Sequence, residues 1–363
     1  MGIRDRDEHV GLPDRPAMFM KRFRPSSSPK HSSFSRATLR RFLHVLLMTT
    51  LLAWTGNTEG RKDTTILVPG GRIDLFVTYN QKADFTNQDL IAWVSAASKS
   101  VSTYFGRYPV PEVAIRVTTI SGKGVHHGRT FGSPAPLILI SVGRDTTVKD
   151  LEADWTMTHE MVHLAFPSVP ETNHWIEEGT ATYVEPIARV QAGILQPAKM
   201  WNDVVRDLPQ GLPAPGDRGL DVTHTWGRTY WGGALFCLLA DVEIHERTHN
   251  QKGLQDALRG ILAAGGNVTE DWPLERALRT GDAATGTTVL EDLYQQMKNK
   301  PVTVDLASMW RNLGIQRSKN GDTSFNDDAP LASIRDSITA VRNSQGSVNS
   351  LSVDQTFAAR NRE

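Results

Sequence analysis

Cysteine is almost absent from this chain. Cys237 stands alone, so no internal disulfide can form and cysteine usage does not reveal the compartment. It lies in the apolar run Ala234 to Ala240, which predicts a buried small hydrophobe rather than a ligand or a nucleophile. An excess of charge of one sign is also missing: 40 Lys and Arg balance 40 Asp and Glu. Nothing therefore points to nucleic acid or to an acidic partner. Internal repeats are absent as well. The apolar run Phe42 to Trp54 is too short for a comfortable membrane span and has signal-peptide proportions.

That run follows a segment, residues 1–41, rich in Arg, Lys, Ser and Pro, which reads as disordered. Arg40 and Arg41 precede it, and Ala53 to Thr55 offers small residues for cleavage before Gly56. The expectation is a signal peptide over 42–55, or an uncleaved anchor using residues 42–54. Either would export the remainder to the cell envelope or periplasm. A polar tail, 343–363, reads as frayed.

Between these ends the chain is long enough for a large core. Strand patterns run over Arg72 to Tyr79, Pro111 to Ile120 and Pro136 to Val142. Thr86 to Phe105 reads as an amphipathic helix with Thr86 as N-cap. From about Ala192 the signals are mostly helical, with a Pro/Gly-rich loop over Leu208 to Gly219. Helices are expected over Gly227 to Glu246, Leu254 to Ala264, Val289 to Met297 and Leu306 to Leu313.

The chemistry concentrates at His159-Glu160-Met161-Val162-His163, an H-E-x-x-H motif within Asp154 to Phe166, a stretch free of Gly and Pro. Residues four apart share a helix face, so the two imidazoles can bind one metal ion. Glu160 can then take a proton from a water held there. Met161 and Val162 point into the protein. A metzincin would need G-x-x-H soon after the second His, and Phe166 and Val169 stand there instead.

A carboxylate from a second helix is the other source of a third ligand. Asn173 to Glu185 has helical spacing, while Glu171 lies in a loop beside Pro170. Glu177, Glu178 and Glu185 remain. Glu178, directly before Gly179, is the choice, because a glycine there lets its helix pack closely on the metal-binding helix. Three protein ligands leave a fourth position open, as in catalytic rather than structural zinc sites.

Trp175, Glu178, Gly179 and Tyr183 after H-E-x-x-H form W-x-x-E-G-x-x-x-Y, which resembles the gluzincin metallopeptidases. The block Thr229 to Thr248, with Tyr230, Gly233, Ala234, Asp241, Ile244 and Thr248, resembles a segment of the glycyl aminopeptidase family and is similar to one of the aminopeptidase N family. Gly253 to Arg259 and Asp327 to Arg335 also resemble the glycyl aminopeptidase family. The likeness covers about residues 120 to 340. It implies that Tyr230 donates a hydrogen bond to the tetrahedral oxyanion, and that a sheet edge beside the cleft pairs with extended substrate, for which Gly128 to Val142 is the candidate. Two departures stand out. The interval from His163 to Glu178 is about four residues shorter than in aminopeptidase N, so Pro167 to Thr172 must form a tight connection, a demand its two prolines fit. The G-x-M-E-N segment that holds a free amine in that family is missing, with Gly122 to Gly132 in its place.

The expected fold is α+β: a thermolysin-like zincin lobe over 64–190, its mixed sheet backing the metal helices, then a mostly helical lobe over 191–342. The expected function is that of a zinc-dependent metallopeptidase acting on a peptide or protein substrate. Its Zn²⁺ would be held by His159, His163 and Glu178, with Glu160 and Tyr230 catalytic. His174, His126, His127 and Thr182 are further candidates near the site. The competing reading is a non-catalytic peptide-binding protein on a zincin scaffold, which has no need of Glu160 or Tyr230.

Overall fold

A computed structural model describes residues 64–80, 82–318 and 321–341, which all fall within one compact unit, Gly60–Glu363. The expected signal segment and both chain ends lie outside the described residues. Among those residues, no helix is long and apolar enough to cross a membrane.

The sheet comes first. Strands β1 (Thr64–Val68), β2 (Gly71–Thr78), β3 (Glu112–Ile120), β4 (Val125–Phe131) and β5 (Leu137–Gly143) form one mixed sheet in the order β1-β2-β3-β5-β4. The three central strands are parallel, and β1 and β4 close the edges antiparallel. On β3 the alternation is plain: Val113, Ile115 and Val117 are fully buried, while Arg116 faces outward over the Phe76 ring. Burying such a β-branched side chain is worth on the order of 1.5–3 kcal/mol, which fixes the strand's register by its face.

Helix α1 (Asn87–Phe105) starts at Thr86 through a capping box with Asp89, so the expected N-cap stands. It carries Leu90, Val94 and Val101 into the core. Then come α2 (Val148–Ala153), α3 (Thr156–His163), α4 (His174–Gln191) and α5 (Pro197–Asp207). A π-helical segment, Arg228–Gly232, runs into α6 (Gly233–Arg247). The expected single helix from Gly227 therefore changes hydrogen-bond pattern in its first turn. Helices α7 (Leu254–Ala263), α8 (Leu274–Thr285), α9 (Val289–Met297), α10 (Leu306–Asn312) and α11 (Ala332–Thr339) follow among the described residues, with a hairpin of β6 (Ile315–Arg317) and β7 (Thr323–Phe325) between the last two. The fold class is α+β, as expected. Cys237 is buried in α6, and burial pushes its thiol up to about 12, so it packs as a small hydrophobe.

Candidate active site

Helix α3 begins where Asp154 accepts hydrogen bonds from the backbone N–H groups of Thr156 and Met157, each at 3.0 Å. Trp93 donates to the same carboxylate, so the helix start is anchored to α1. Met157, Met161 and Val162 are buried in the core. That orients the opposite face, with His159 and His163, toward α4. The two rings lie 4.9 Å apart and nearly perpendicular.

Glu178 closes the set. Its Oε2 is 3.3 Å from His159 Nε2 and 3.7 Å from His163 Nε2. One donor atom from each residue lies within 4.8 Å of the others. Burial opposes the charge of Glu178, but His163, His159 and His174 hold its carboxyl well below the usual range. Burial likewise opposes a charged His159. There the hydrogen bond to Glu178, with the charges of Glu178, Glu160 and Glu185, wins, and the ring's affinity for a proton is raised. The two shifts have one origin: the carboxylate and the imidazoles each favour the other's charge. Three converging donors of the N, N, O type fit a zinc ion. His159 Nδ1, by contrast, is buried without a partner among the described residues, where a ligand His commonly donates to a second group.

The other carboxylates are occupied elsewhere. Glu177 Oε1 accepts from the Val169 backbone at 2.8 Å and its Oε2 meets His174 Nδ1 at 2.8 Å. It ties down the short connection before α4. Ser168 adds a backbone bridge to Asp271, so the tight Pro167–Pro170 connection is held from both sides. Glu185 pairs with Arg189 at 2.9 Å inside the protein. Glu171 is exposed on a one-turn 3₁₀ segment. His174 spans both acids, its Nε2 3.2 Å from Glu178 Oε1, and the hydrogen bonds to Glu177 and then Glu178 raise its pKa to about 10. It thus holds the Glu178 carboxylate in place. Thr182, half-buried on α4, hydrogen-bonds neither histidine.

Glu160 lies against the sheet. Thr130 on β4 donates to its carboxylate Oε2, and the hydroxyl also sits 2.8 Å from its backbone carbonyl. Gly128 lies beneath the other oxygen: a Cβ there would come within 2.6 Å of Oε1. Between His126 and Arg129 the register with β5 shifts, and His127 takes a positive φ of 53°. Such bulges re-aim an edge strand and recur beside active sites. The expected edge over Gly128 to Val142 is thus corrected. The edge is β4, starting at Val125, whereas β5 is an interior strand. His126 caps the preceding turn through Lys123 O, and His127 is exposed on the bulge.

Tyr230 comes from the π-helical segment. Its ring stacks at 6.4 Å and 20° on His159, which brings a residue 52 positions beyond Glu178 to the ligand set. Burial, then the charges of Glu178 and Glu160, push its hydroxyl pKa up, so it stays a protonated donor. The close approach rests on glycine. A Cβ on Gly179 would collide with the backbone of Gly233, and one on Gly233 with the Trp175 carbonyl. The expectation that Gly179 packs on the metal helix is therefore corrected: its close contact is with the start of α6. Beneath the segment, buried Arg228 and Asp217 meet at 2.8 Å, and Arg228 also donates to Gly211 O.

No protein-family model matches the chain, and no curated protein sequence does. Solved structures do. An aminopeptidase N family protein from Idiomarina loihiensis superposes on 70% of this chain and 50% of its own, with 14% identity and a TM-score of 0.51. The fold is the one seen in the aminopeptidase N family. An M1 zinc metallopeptidase from Deinococcus radiodurans is also similar, at 13% identity and a TM-score of 0.44, over 67% of this chain and 52% of that one. This chain spans about half the length of these structures. The gluzincin resemblance of the sequence and the observed fold agree.

Three groups at the site were not anticipated from sequence. Thr130 reaches Glu160 only through strand–helix packing across 30 residues, which no local pattern announces. Trp226 stacks on Tyr230 at 5.8 Å. Asp221 accepts from Asn173, Trp175 and Tyr294 and fixes the start of α4. For Trp226 a signal existed: a large aromatic four residues before Tyr230, one helical turn away.

Proposed function

We propose that this chain is a zinc-dependent metallopeptidase that hydrolyses peptide bonds. The convergence of His159, His163 and Glu178 beside a carboxylate poised by Thr130 carries the reading. His159 and His163 would hold the ion through their Nε2 atoms and Glu178 through its carboxylate. Zinc, when bound, supplies Lewis acidity toward a water and toward the scissile carbonyl. Glu160, held through Oε2 by Thr130, keeps Oε1 free over Gly128 to accept the water's proton and pass it to the leaving amine. Tyr230 donates its hydroxyl proton in a hydrogen bond to the developing oxyanion, while His174 keeps the Glu178 carboxylate in place. Edge strand β4 offers backbone groups to an extended substrate. The π-helical segment and the helices after it form the opposite wall of the cleft, a helical lobe facing the zincin lobe. On the signal reading of residues 42–55, the substrate is a peptide or protein met outside the cytoplasm.

The deciding measurement is zinc content together with hydrolysis of a defined peptide mixture, followed by mass spectrometry. Wild type should carry about one zinc per chain and cleave; Glu160→Gln should keep the zinc and lose about 10²–10⁴ in rate. A zinc-loaded wild type that cleaves nothing in the mixture would overturn the reading in favour of a peptide-binding protein.

A further inference from the structure

We propose that Trp226 determines specificity in this site, serving as a platform for an aromatic or large aliphatic side chain of the bound peptide near the scissile bond. The inference rests on the peptidase reading and deepens it.

Trp226 is the most exposed aromatic side chain among the described residues, with 54% of its surface open. A single exposed hydrophobe is ordinary. The position of this one is not. Its ring stacks on Tyr230 at 5.8 Å and 27°, and Tyr230 in turn stacks on His159 at 6.4 Å and 20°. Three rings thus run from a metal ligand outward to solvent, and Trp226 is the outer one. One face of it is covered by Tyr230, and much of the rest of the ring remains open.

The backbone holds it there. Gly227 follows directly, and a Cβ on that residue would come within 2.5 Å of the Gln210 carbonyl oxygen. The chain is therefore pressed against the 208–211 turn, and the π-helical segment behind it is pinned by the buried Arg228–Asp217 pair. The ring is placed by its backbone, without having buried itself. An aromatic pre-placed by its backbone and by its stack on Tyr230 has less conformational freedom to lose when a ligand covers it.

Reach decides what it can touch. An extended peptide advances about 3.3–3.6 Å per residue. Trp226 lies no more than two ring spacings from His159, so it is within reach of side chains a few residues from a scissile carbonyl held at Tyr230. An apolar side chain laid on the open ring removes water from both surfaces, and an aromatic one adds an offset-stacked contact. Glycine or alanine at that place gains little.

The experiment compares matched hexapeptides differing at one position flanking the cleaved bond, with Phe, Leu, Lys or Gly there. The zinc-loaded wild type, Trp226→Phe and Trp226→Ala are assayed. In wild type, kcat/KM for Phe and Leu peptides should exceed that for Gly. In Trp226→Ala that ratio should fall about 10-fold, and Trp226→Phe should restore most of it. A uniform fall for all four peptides would mean that Trp226 only braces Tyr230, and would overturn the proposal. So would an unchanged ratio, or a preference confined to Lys. A parallel arm measures binding of the Phe and Gly peptides by calorimetry to Glu160→Gln, with and without Trp226→Ala. If zinc-loaded wild type cleaves nothing, the peptidase reading has failed. The platform then stands if Phe-over-Gly binding is lost with Trp226→Ala, and falls if that discrimination is absent or unaffected.

Discussion

On the strand side of the site, Glu160 is positioned by one side chain, Thr130, and by the space above Gly128. On the helix side, Glu178 and Tyr230 are brought together by backbone lying on backbone, Gly179 against Gly233. Both walls use glycine, but what an added methyl would strike differs. Over Gly128 it meets the Glu160 side chain, Oε1 at 2.6 Å and Cγ at 2.8 Å, which can shift only by turning about its own bonds. At Gly179 it meets main chain, which cannot move without shifting α6. The strand wall can thus be altered at small cost to the fold and direct cost to the chemistry. In the helix wall, fold and chemistry are bound together.

Among changes that test this contrast, the largest effect should come from the one in the helix wall that leaves the backbone alone. Tyr230→Phe removes the donor and keeps the ring that stacks on His159. We expect full zinc, an unchanged melting temperature and a loss of about 10²–10³ in kcat, equivalent to about 2.7–4 kcal/mol. Near-normal turnover would show that Tyr230 only packs.

Gly179→Ala should act on the fold instead. Overpacking of this kind costs about 1–3 kcal/mol, to be read as a lower denaturation midpoint by urea titration. An unshifted midpoint would mean that the two helices can part easily and that the contrast between the walls is wrong. Gly128→Ala is its counterpart. The midpoint should hold, while kcat falls about 10-fold, or about 1.4 kcal/mol, as Glu160 is displaced. If stability drops and kcat does not, the strand wall is the rigid one. The smallest change is expected from Glu177→Ala. It loses the bond to Val169 and should cost about 0.5–1.5 kcal/mol of stability, with zinc retained. Loss of the metal there would shift the ligand assignment from Glu178 to its neighbour.

The same division explains what the sequence made legible. The candidate ligands on α3 and α4 were readable because helical spacing is local: His159 and His163 four apart, Glu178 in its Trp-x-x-Glu-Gly context. Tyr230 was reached only through a family resemblance. The parts that escaped are those set by packing at a distance. Strand β4 carries His126, His127 and Gly128 in place of alternating β-branched residues, so it lacks a strand signature and draws its extended form from pairing with β5. Helix α8, flanked by Pro273 and Gly286, shows good termini but a core face of Leu274, Ala277 and Leu278 too thin to stand out. The partner of Gly179 was misjudged for a similar reason: a glycine announces a close approach but not what approaches.

The short span between the ligands has a consequence for how the molecule assembles. From His159 to Glu178 is a stretch of twenty residues, and the entropy of closing a loop grows only with the logarithm of its length. An ion captured by these three groups closes a small, local circuit, already cross-tied by Glu177 and Ser168. Tyr230 arrives over a longer sequence distance, so its place beside His159 carries the larger closure entropy. On the zinc reading, binding of the ion would rest on a local chain closure, whereas the placing of Tyr230 rests on contact between segments far apart in sequence.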